Sequence, residues 1–110
     1  MVGEATIDFI NQFKVDFGVI GISGIDADGT LLDFDYREVR VAQAIVENAR
    51  TVFLATDQTK FGRRAMVKLG NVAMLDAIFL DTEPDTPYRE MLRDSQVAVH
   101  YARDAEEIAL

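Results

Sequence analysis

The feature that most constrains the fold is a regular alternation of short apolar runs with segments of helical spacing. The runs are five to seven residues long and rich in β-branched residues, which is typical of buried strands. They lie at residues 17–23, 51–56, 77–81 and 97–101. Strands that alternate with helices form mostly parallel sheets, because a parallel pair needs a crossover between its strands. The sequence therefore predicts an α/β fold, a three-layer mostly parallel sheet with helices on both faces.

Three segments that precede or separate these runs have the spacing or the end signals of helices. The first covers residues 4–13. The second begins after Asp35, an N-cap residue, and ends near Arg50, with Glu38 at the third helical position to complete a capping box. The third begins with Thr86 as its N-cap, and a proline follows at the first helical position.

Two loops that follow predicted strand ends are rich in polar residues. They cover residues 24–35 and 57–64. In open α/β sheets, ligands bind beyond the carboxyl ends of the strands. A binding site of this chain is therefore expected at these two loops.

Composition and charge exclude several classes of protein. The 110 residues allow one domain, and its core is expected to include Phe9, Phe13, Phe17, Phe53 and Phe79. With no cysteine and one histidine, His100, neither a disulfide nor a zinc site is expected. The net charge of −8 argues against DNA binding by this chain itself. No apolar run is long enough to span a membrane and no signal peptide is visible, so a cytoplasmic protein is expected.

One acidic motif allows an enzymatic interpretation. The segment D-A-D-G-T at residues 26–30 resembles the first motif of haloacid-dehalogenase-type phosphatases. That resemblance implies Asp26 as the nucleophile and Asp28 as the general acid/base, both near Mg²⁺. However, Ser23 and Gly24 interrupt the apolar run before Asp26, and the family's late acidic motif G-D-x-x-x-D is absent. The same Asp-Gly pair is also typical of a plain surface turn.

A longer resemblance covers nearly the whole chain. Between residues 3 and 101 the motifs occur in this order: G-E-A-T-I-D-F-I, D-F-G-V-I-G-I-S-G-I-D-A-D-G, L-L-D-F-D-Y-R-E-V, A-I-V-E-N-A-R and D-Q-T-K-F-G-R. This set is similar to the DeoR family of transcriptional repressors, and most similar to its members that control glycerol 3-phosphate metabolism. The resemblance implies that residues 1–102 are the C-terminal portion of an effector-sensing domain and that residues 103–110 are a tail. It also implies that the family's N-terminal helix-turn-helix domain and the first half of the sensor lie outside this chain, so the sheet is truncated.

The sensing domains of that family resemble ribose-5-phosphate isomerase and CoA-transferase folds. The isomerase's active-site loops align with residues 21–26, 37–39 and 57–60, and Ser23 stands where the isomerase has a catalytic carboxylate. The base-like Glu38 and the lysine, Lys60, remain. Since enediol chemistry needs both a base and a preorganised set of charges, this loss implies a pocket that binds without turnover. An active sugar-phosphate isomerase stays the second enzymatic alternative.

The resemblance implies an effector, glycerol 3-phosphate or a related phosphorylated polyol, whose binding releases DNA in the full-length protein. No cofactor, metal or catalytic residue is expected. The predicted effector-binding residues are Asp26, Asp35, Glu38, Asp57, Lys60 and Arg63. Each has a simpler alternative as a helix cap, a turn residue or a solvated charge. Because a truncated sheet leaves apolar faces uncovered, self-association is also expected.

Overall fold

A computed structural model describes residues 4–102 of the chain. The helices are α1 (Glu4–Ile10), α2 (Tyr36–Asn48) and α3 (Thr86–Asp94). The strands are β1 (Val15–Ile20), β2 (Gly24–Ile25), β3 (Thr30–Asp33), β4 (Ala49–Ala55), β5 (Val67–Asn71), β6 (Ala77–Leu80) and β7 (Ala98–Tyr101). Two short 3-10 helices, Gln58–Lys60 and Val72–Met74, lie in the connections. The predicted tail, residues 103–110, lies outside the described residues.

Four of the strands form a parallel sheet in the order β1-β4-β6-β7. Each successive strand is added on the same side of the previous one. The helix α2 precedes β4 and α3 connects β6 to β7, as parallel pairing requires. The α/β class and the mostly parallel sheet are therefore confirmed.

The core lies on one face of this sheet. The inward side chains of adjacent strands include Ile20, Leu54 and Ile78, and they pack with Val39 of α2 and Leu92 of α3. The helix α1 lies outside α2 and is joined to it at the surface by an Arg40–Glu4 ion pair of 2.9 Å. In the described residues 4–102, α2 and α3 pack on this face and α1 packs on α2, so no helix covers the opposite face of the sheet.

The polar segment after β1 is not the loop that the sequence predicted. Residues 24–33 form a hairpin, β2 and β3, and β5 completes a three-stranded antiparallel sheet in the order β2-β3-β5. The hairpin turn is closed by Asp26 N–H, which donates to the Thr30 carbonyl at 2.9 Å. Gly29 has a φ of +89° in this turn, a conformation that glycine adopts without strain. The strands have two and four residues, too short for their alternation to be visible in the sequence.

The predicted phenylalanine core is wrong. The exposed fractions are 60 % for Phe9, 50 % for Phe13, 65 % for Phe17 and 40 % for Phe79, and Phe53 is half-buried. Phe9 lies on α1 and Phe13 lies after its end, both outside the core, and the other three project from the uncovered face of the parallel sheet. The wholly buried side chains are aliphatic instead, Ile25, Leu31, Leu54 and Ile78 among them.

The helix starts agree only in part with the predicted caps. Asp35 is the N-cap of α2, and its Oδ1 accepts the Arg37 amide at 2.8 Å. The predicted capping box with Glu38 is not formed, because the Asp35 amide donates to Asp33 Oδ1 at 3.4 Å. For α3 the N-cap is Asp85, so the prediction of Thr86 was wrong by one residue.

Candidate functional site

The polar loops meet at one edge of the parallel sheet. β1 and β4 are parallel neighbours, with Ile20 paired to Leu54, so the segments that follow them leave the sheet side by side. The loop after β4 is also tied to the end of β6, where the Gln58 amide donates to Asp81 Oδ1 at 2.9 Å. This is the edge at which open α/β sheets bind ligands.

An open cleft of about 480 Å³ lies between the end of β1 and α2. Its polar lining consists of Ser23, Asp33 and Glu38, and its apolar wall includes Val41 and Ile45 of α2. Of the predicted effector residues, Glu38 is the one that lines this cleft. The cleft therefore offers two carboxylates and a hydroxyl opposite an apolar surface.

Asp33 organises the polar side of the cleft. Its Oδ1 accepts the Ser23 hydroxyl at 3.1 Å, the Phe34 amide at 2.7 Å and the Asp35 amide at 3.4 Å. One carboxylate oxygen thereby holds both Ser23, in the segment after β1, and the start of α2. Sequence reasoning missed this residue, although its position two residues before an N-cap aspartate was a usable signal.

The second polar loop is held by Asp57. This residue caps the 3-10 helix, and its carboxylate accepts both the amide and the hydroxyl of Thr59. The Thr59 hydroxyl and amide lower the pKa of Asp57 below its usual value, and the positive charges of Lys60 and Arg63 lower it further. Oδ1 of Asp57 therefore stabilises the turn, and Lys60 lies half-buried at the end of that turn.

The same loop runs along β2. The Gly62 amide donates to the Ile25 carbonyl at 2.8 Å, and Ile25 and Phe61 form a parallel bridge. A Cβ atom at Gly24 would lie 2.5 Å from the Arg63 carbonyl oxygen, so the two backbones are in close contact. Asp26 directly follows Ile25 and is exposed. The backbone thus brings Asp26 next to the loop that carries Lys60 and Arg63.

The predicted residues therefore fall into two neighbouring groups. Asp35 and Glu38 lie at the start of α2, beside the cleft. Asp26 and the loop of Asp57, Lys60 and Arg63 lie along β2. Their assignment as effector-binding residues stays a prediction.

The comparison with protein families decides the affiliation of the chain. Residues 1–82 match the family described as the DeoR C terminal sensor domain, which is well over half of the chain. The chain belongs to the DeoR sensor-domain family. This confirms the resemblance found in the sequence.

Individual relatives of this DeoR chain are transcriptional regulators by name. The glycerol-3-phosphate regulon repressor of Escherichia coli (strain K12) is 53 % identical over 97 residues, which are 88 % of this chain and 38 % of the repressor. Its namesake from Haemophilus influenzae is 49 % identical over 85 residues, 77 % of this chain and 33 % of that protein. The HTH-type transcriptional repressor CsqR of Escherichia coli (strain K12) is 33 % identical over 99 residues, 90 % of this chain and 38 % of that protein. The chain thus spans less than two fifths of the length of these relatives.

Within this DeoR chain, the D-A-D-G-T motif has a structural explanation. β1 ends at Ile20, and the hairpin strand β2 lies between it and Asp26. Asp28 Oδ1 accepts the Thr30 amide at 3.0 Å, and this bond is the main cause that lowers the pKa of Asp28. The motif therefore forms the hairpin turn, and the strand that leads into Asp26 is the two-residue β2 of the antiparallel sheet, not a strand of the parallel sheet. No group of three or more metal-ligating side chains lies within residues 4–102.

Thr56 is a further polar residue that the sequence did not single out. It follows β4, and its amide donates to the Phe79 carbonyl at 3.0 Å. Its hydroxyl oxygen is buried and has no hydrogen-bond partner among the described residues. A buried hydroxyl without a hydrogen-bond partner costs free energy, so Thr56 favours a polar group beside it at this edge of the sheet.

No helix of the described part of the chain is long and apolar enough to cross a membrane.

Proposed function

We propose that this chain is the effector-binding part of a DeoR-type transcriptional repressor of glycerol 3-phosphate metabolism, and that it is not an enzyme. The names of its relatives at 49–53 % identity support the regulon. In a protein that also carries a DNA-binding domain, binding of the phosphorylated polyol releases the operator. Such a regulator acts in the cytoplasm and requires no cofactor.

The observation that carries this proposal is the meeting of two polar loops at the carboxyl edge of the parallel sheet. A phosphorylated polyol needs a cation for its phosphate and acceptors for its hydroxyl groups. In our proposal Lys60 and Arg63 bind the phosphate. The carboxylates of Asp26, Asp35 and Glu38 accept hydrogen bonds from the hydroxyls.

Asp57 has a supporting role in this arrangement. Oδ1 of its carboxylate accepts hydrogen bonds from Thr59, so Asp57 holds the shape of the loop that carries Lys60. The ligand acts by binding one conformation of the sensor more tightly than another. With a net charge of −8, this part of the protein affects DNA only through the DNA-binding domain.

A thermal-denaturation series on the purified chain tests the proposal. Glycerol 3-phosphate at about ten times its Kd should raise the free energy of unfolding by about 1.4 kcal/mol, which raises the Tm by several degrees. Glycerol and inorganic phosphate, at the same concentrations, should raise the Tm much less. Lys60→Ala should abolish the shift, whereas Lys68→Ala, a change at an exposed lysine of β5, should preserve it.

Two results would contradict the proposal. One is a Tm shift of equal size in the wild-type chain and in Lys60→Ala. The other is turnover by the wild-type chain, either Mg²⁺-dependent phosphate release that Asp26→Ala removes or interconversion of an aldose and a ketose phosphate.

A further inference from the structure

The loop that carries Lys60 and Arg63 is in contact with the first turn of α3 through Tyr88. The ring of Tyr88 lies 5.2 Å from the ring of Phe61, centroid to centroid, at an angle of 48°. The Tyr88 hydroxyl reaches the next residue, because a Cβ atom on Gly62 would lie 2.7 Å from its oxygen. Tyr88 therefore covers the two residues that separate Lys60 from Arg63.

The helix α3 is itself anchored in the hydrophobic core. Leu92 lies one turn after Tyr88 and is 2 % exposed. Residues four apart lie on the same face of a helix, so Tyr88 leaves α3 on the side that packs inward. The connection before α3 contacts the same loop, where Asp81 accepts the Gln58 amide at 2.9 Å. The segment from the end of β6 to α3 thus holds the loop at two points.

A further contact of this loop is with β2. The Gly62 amide donates to the Ile25 carbonyl at 2.8 Å, so Gly62 contacts both a strand and the Tyr88 side chain. Its φ is +83°, a conformation in which a side chain is strained, and a side chain there would also be too close to Tyr88. This packing restricts the backbone between Lys60 and Arg63.

We propose that Tyr88 is a positioning residue of the effector site, which holds the backbone of Lys60 and Arg63 in the arrangement that binds a phosphate group. The inference rests on the proposed function, in which these two cations bind the phosphate. Ordering a flexible loop during binding costs free energy, and a loop that packing already holds avoids this cost. Tyr88 acts through the loop and not on the ligand, so its effect belongs to the ring.

A calorimetric titration with glycerol 3-phosphate tests the role of the ring. Tyr88→Ala should raise the Kd about tenfold, because the ligand must then order the loop. Tyr88→Phe retains the ring and should leave the Kd close to the wild-type value. Met91→Ala is the matched control, since Met91 lies on the same helix and packs against the core. It should lower the free energy of unfolding and leave the Kd unchanged.

Amide hydrogen exchange of the chain without ligand measures the positioning itself. The amides of Gln58 and Gly62 donate to Asp81 and Ile25 respectively, and Tyr88→Ala should make both exchange about tenfold faster. The amides of β4 should be affected much less, and their retained protection shows that the variant is folded. Met91→Ala should show no such selective effect on the loop.

A second pair of variants makes the test independent of Tyr88→Ala. Gly62→Ala should weaken binding, because its methyl group meets the Tyr88 hydroxyl and its φ is unfavourable. Adding Tyr88→Phe to Gly62→Ala removes the oxygen and should restore part of the affinity. An equal Kd for Gly62→Ala with and without Tyr88→Phe would overturn the inference, because this contact would then not determine the conformation of the loop.

The outcomes separate this inference from the proposed function. If the wild-type chain binds glycerol 3-phosphate and Tyr88→Ala binds it equally well, the positioning role is overturned and the proposed function stands. An equal loss of affinity in Tyr88→Phe and Tyr88→Ala would also overturn it, because the hydroxyl would then act on the ligand. A wild-type chain that binds no glycerol 3-phosphate overturns the proposed function, and the inference with it.

Discussion

At the scale of single residues, Asp33 connects the two parts of the cleft. One oxygen of its half-buried carboxylate holds the Ser23 hydroxyl and two backbone amides at the start of α2. Asp33→Ala leaves these three donors without their acceptor, and we expect a loss of about 1–3 kcal/mol in the free energy of unfolding. Asp33→Asn retains an acceptor oxygen and should lose less. Urea denaturation measures both, and equal losses in the two variants would contradict this role.

We expect three other aspartates to make the free energy of unfolding depend on pH in the acid range. The pKa values of Asp28, Asp35 and Asp57 are lowered, mainly by hydrogen bonds from Thr30, Arg37 and Thr59 respectively. When the pKa of a carboxyl group is lower in the folded state than in the unfolded state, its ionised form stabilises the fold. This stabilisation is complete above the pKa of the unfolded state, 3.8, and is lost as the pH falls through the pKa of the folded state. The free energy of unfolding should therefore decrease from about pH 5 downwards.

The triple variant Asp28→Asn, Asp35→Asn, Asp57→Asn checks this dependence. It should be less stable than the wild type at neutral pH and should lose less stability between about pH 5 and pH 2. Guanidinium denaturation at a series of pH values gives the two curves. Parallel curves for the wild type and the triple variant would show that these three carboxylates do not cause the acid sensitivity.

At the scale of elements, the hairpin β2–β3 depends on its turn. Gly29 has a φ of +89°, and a Cβ atom there would lie 3.0 Å from Val72 Cγ2. Gly29→Ala should cost about 1–2 kcal/mol, because a side chain is strained in this conformation. Gly21→Ala is the control, because no atom lies within 4 Å of its Cβ position, and it should be neutral or slightly stabilising. Denaturation curves in which both variants lose equal stability would contradict the argument.

The elements also show which parts of the fold were predictable. The parallel strands were visible because each is an apolar run, and α2 was visible because Asp35 is a true N-cap. The hairpin was not predictable, since its two strands are too short to show an alternation of apolar and polar residues. The exposure of Phe17 and Phe79 was not predictable either, because hydrophobicity alone cannot tell which face of a sheet is covered.

The candidate site was predictable to a similar degree. Its position at two loops followed from the order of strands, and the structure joins those loops through Ile25 and Phe61. Asp33 and Thr56 were missed, because their importance depends on partners, or the lack of one, that only the folded chain reveals.

At the scale of the whole molecule, the described residues of this DeoR chain form a core on one side of the parallel sheet. It spans 38 % of the length of the Escherichia coli repressor, and the face of the sheet that carries Phe17, Phe53 and Phe79 is left uncovered by residues 4–102. The two polar loops lie at the carboxyl edge of the sheet, whereas these three rings lie on its broad side. Effector binding is therefore expected at the carboxyl edge of the sheet.

The most direct test of the central claim is a calorimetric titration of the chain with glycerol 3-phosphate. We predict a saturable heat of binding that is lost in Lys60→Ala, kept in Lys68→Ala and absent when glycerol replaces glycerol 3-phosphate. The absence of any saturable heat with the wild-type chain, or unchanged binding by Lys60→Ala, would contradict the account.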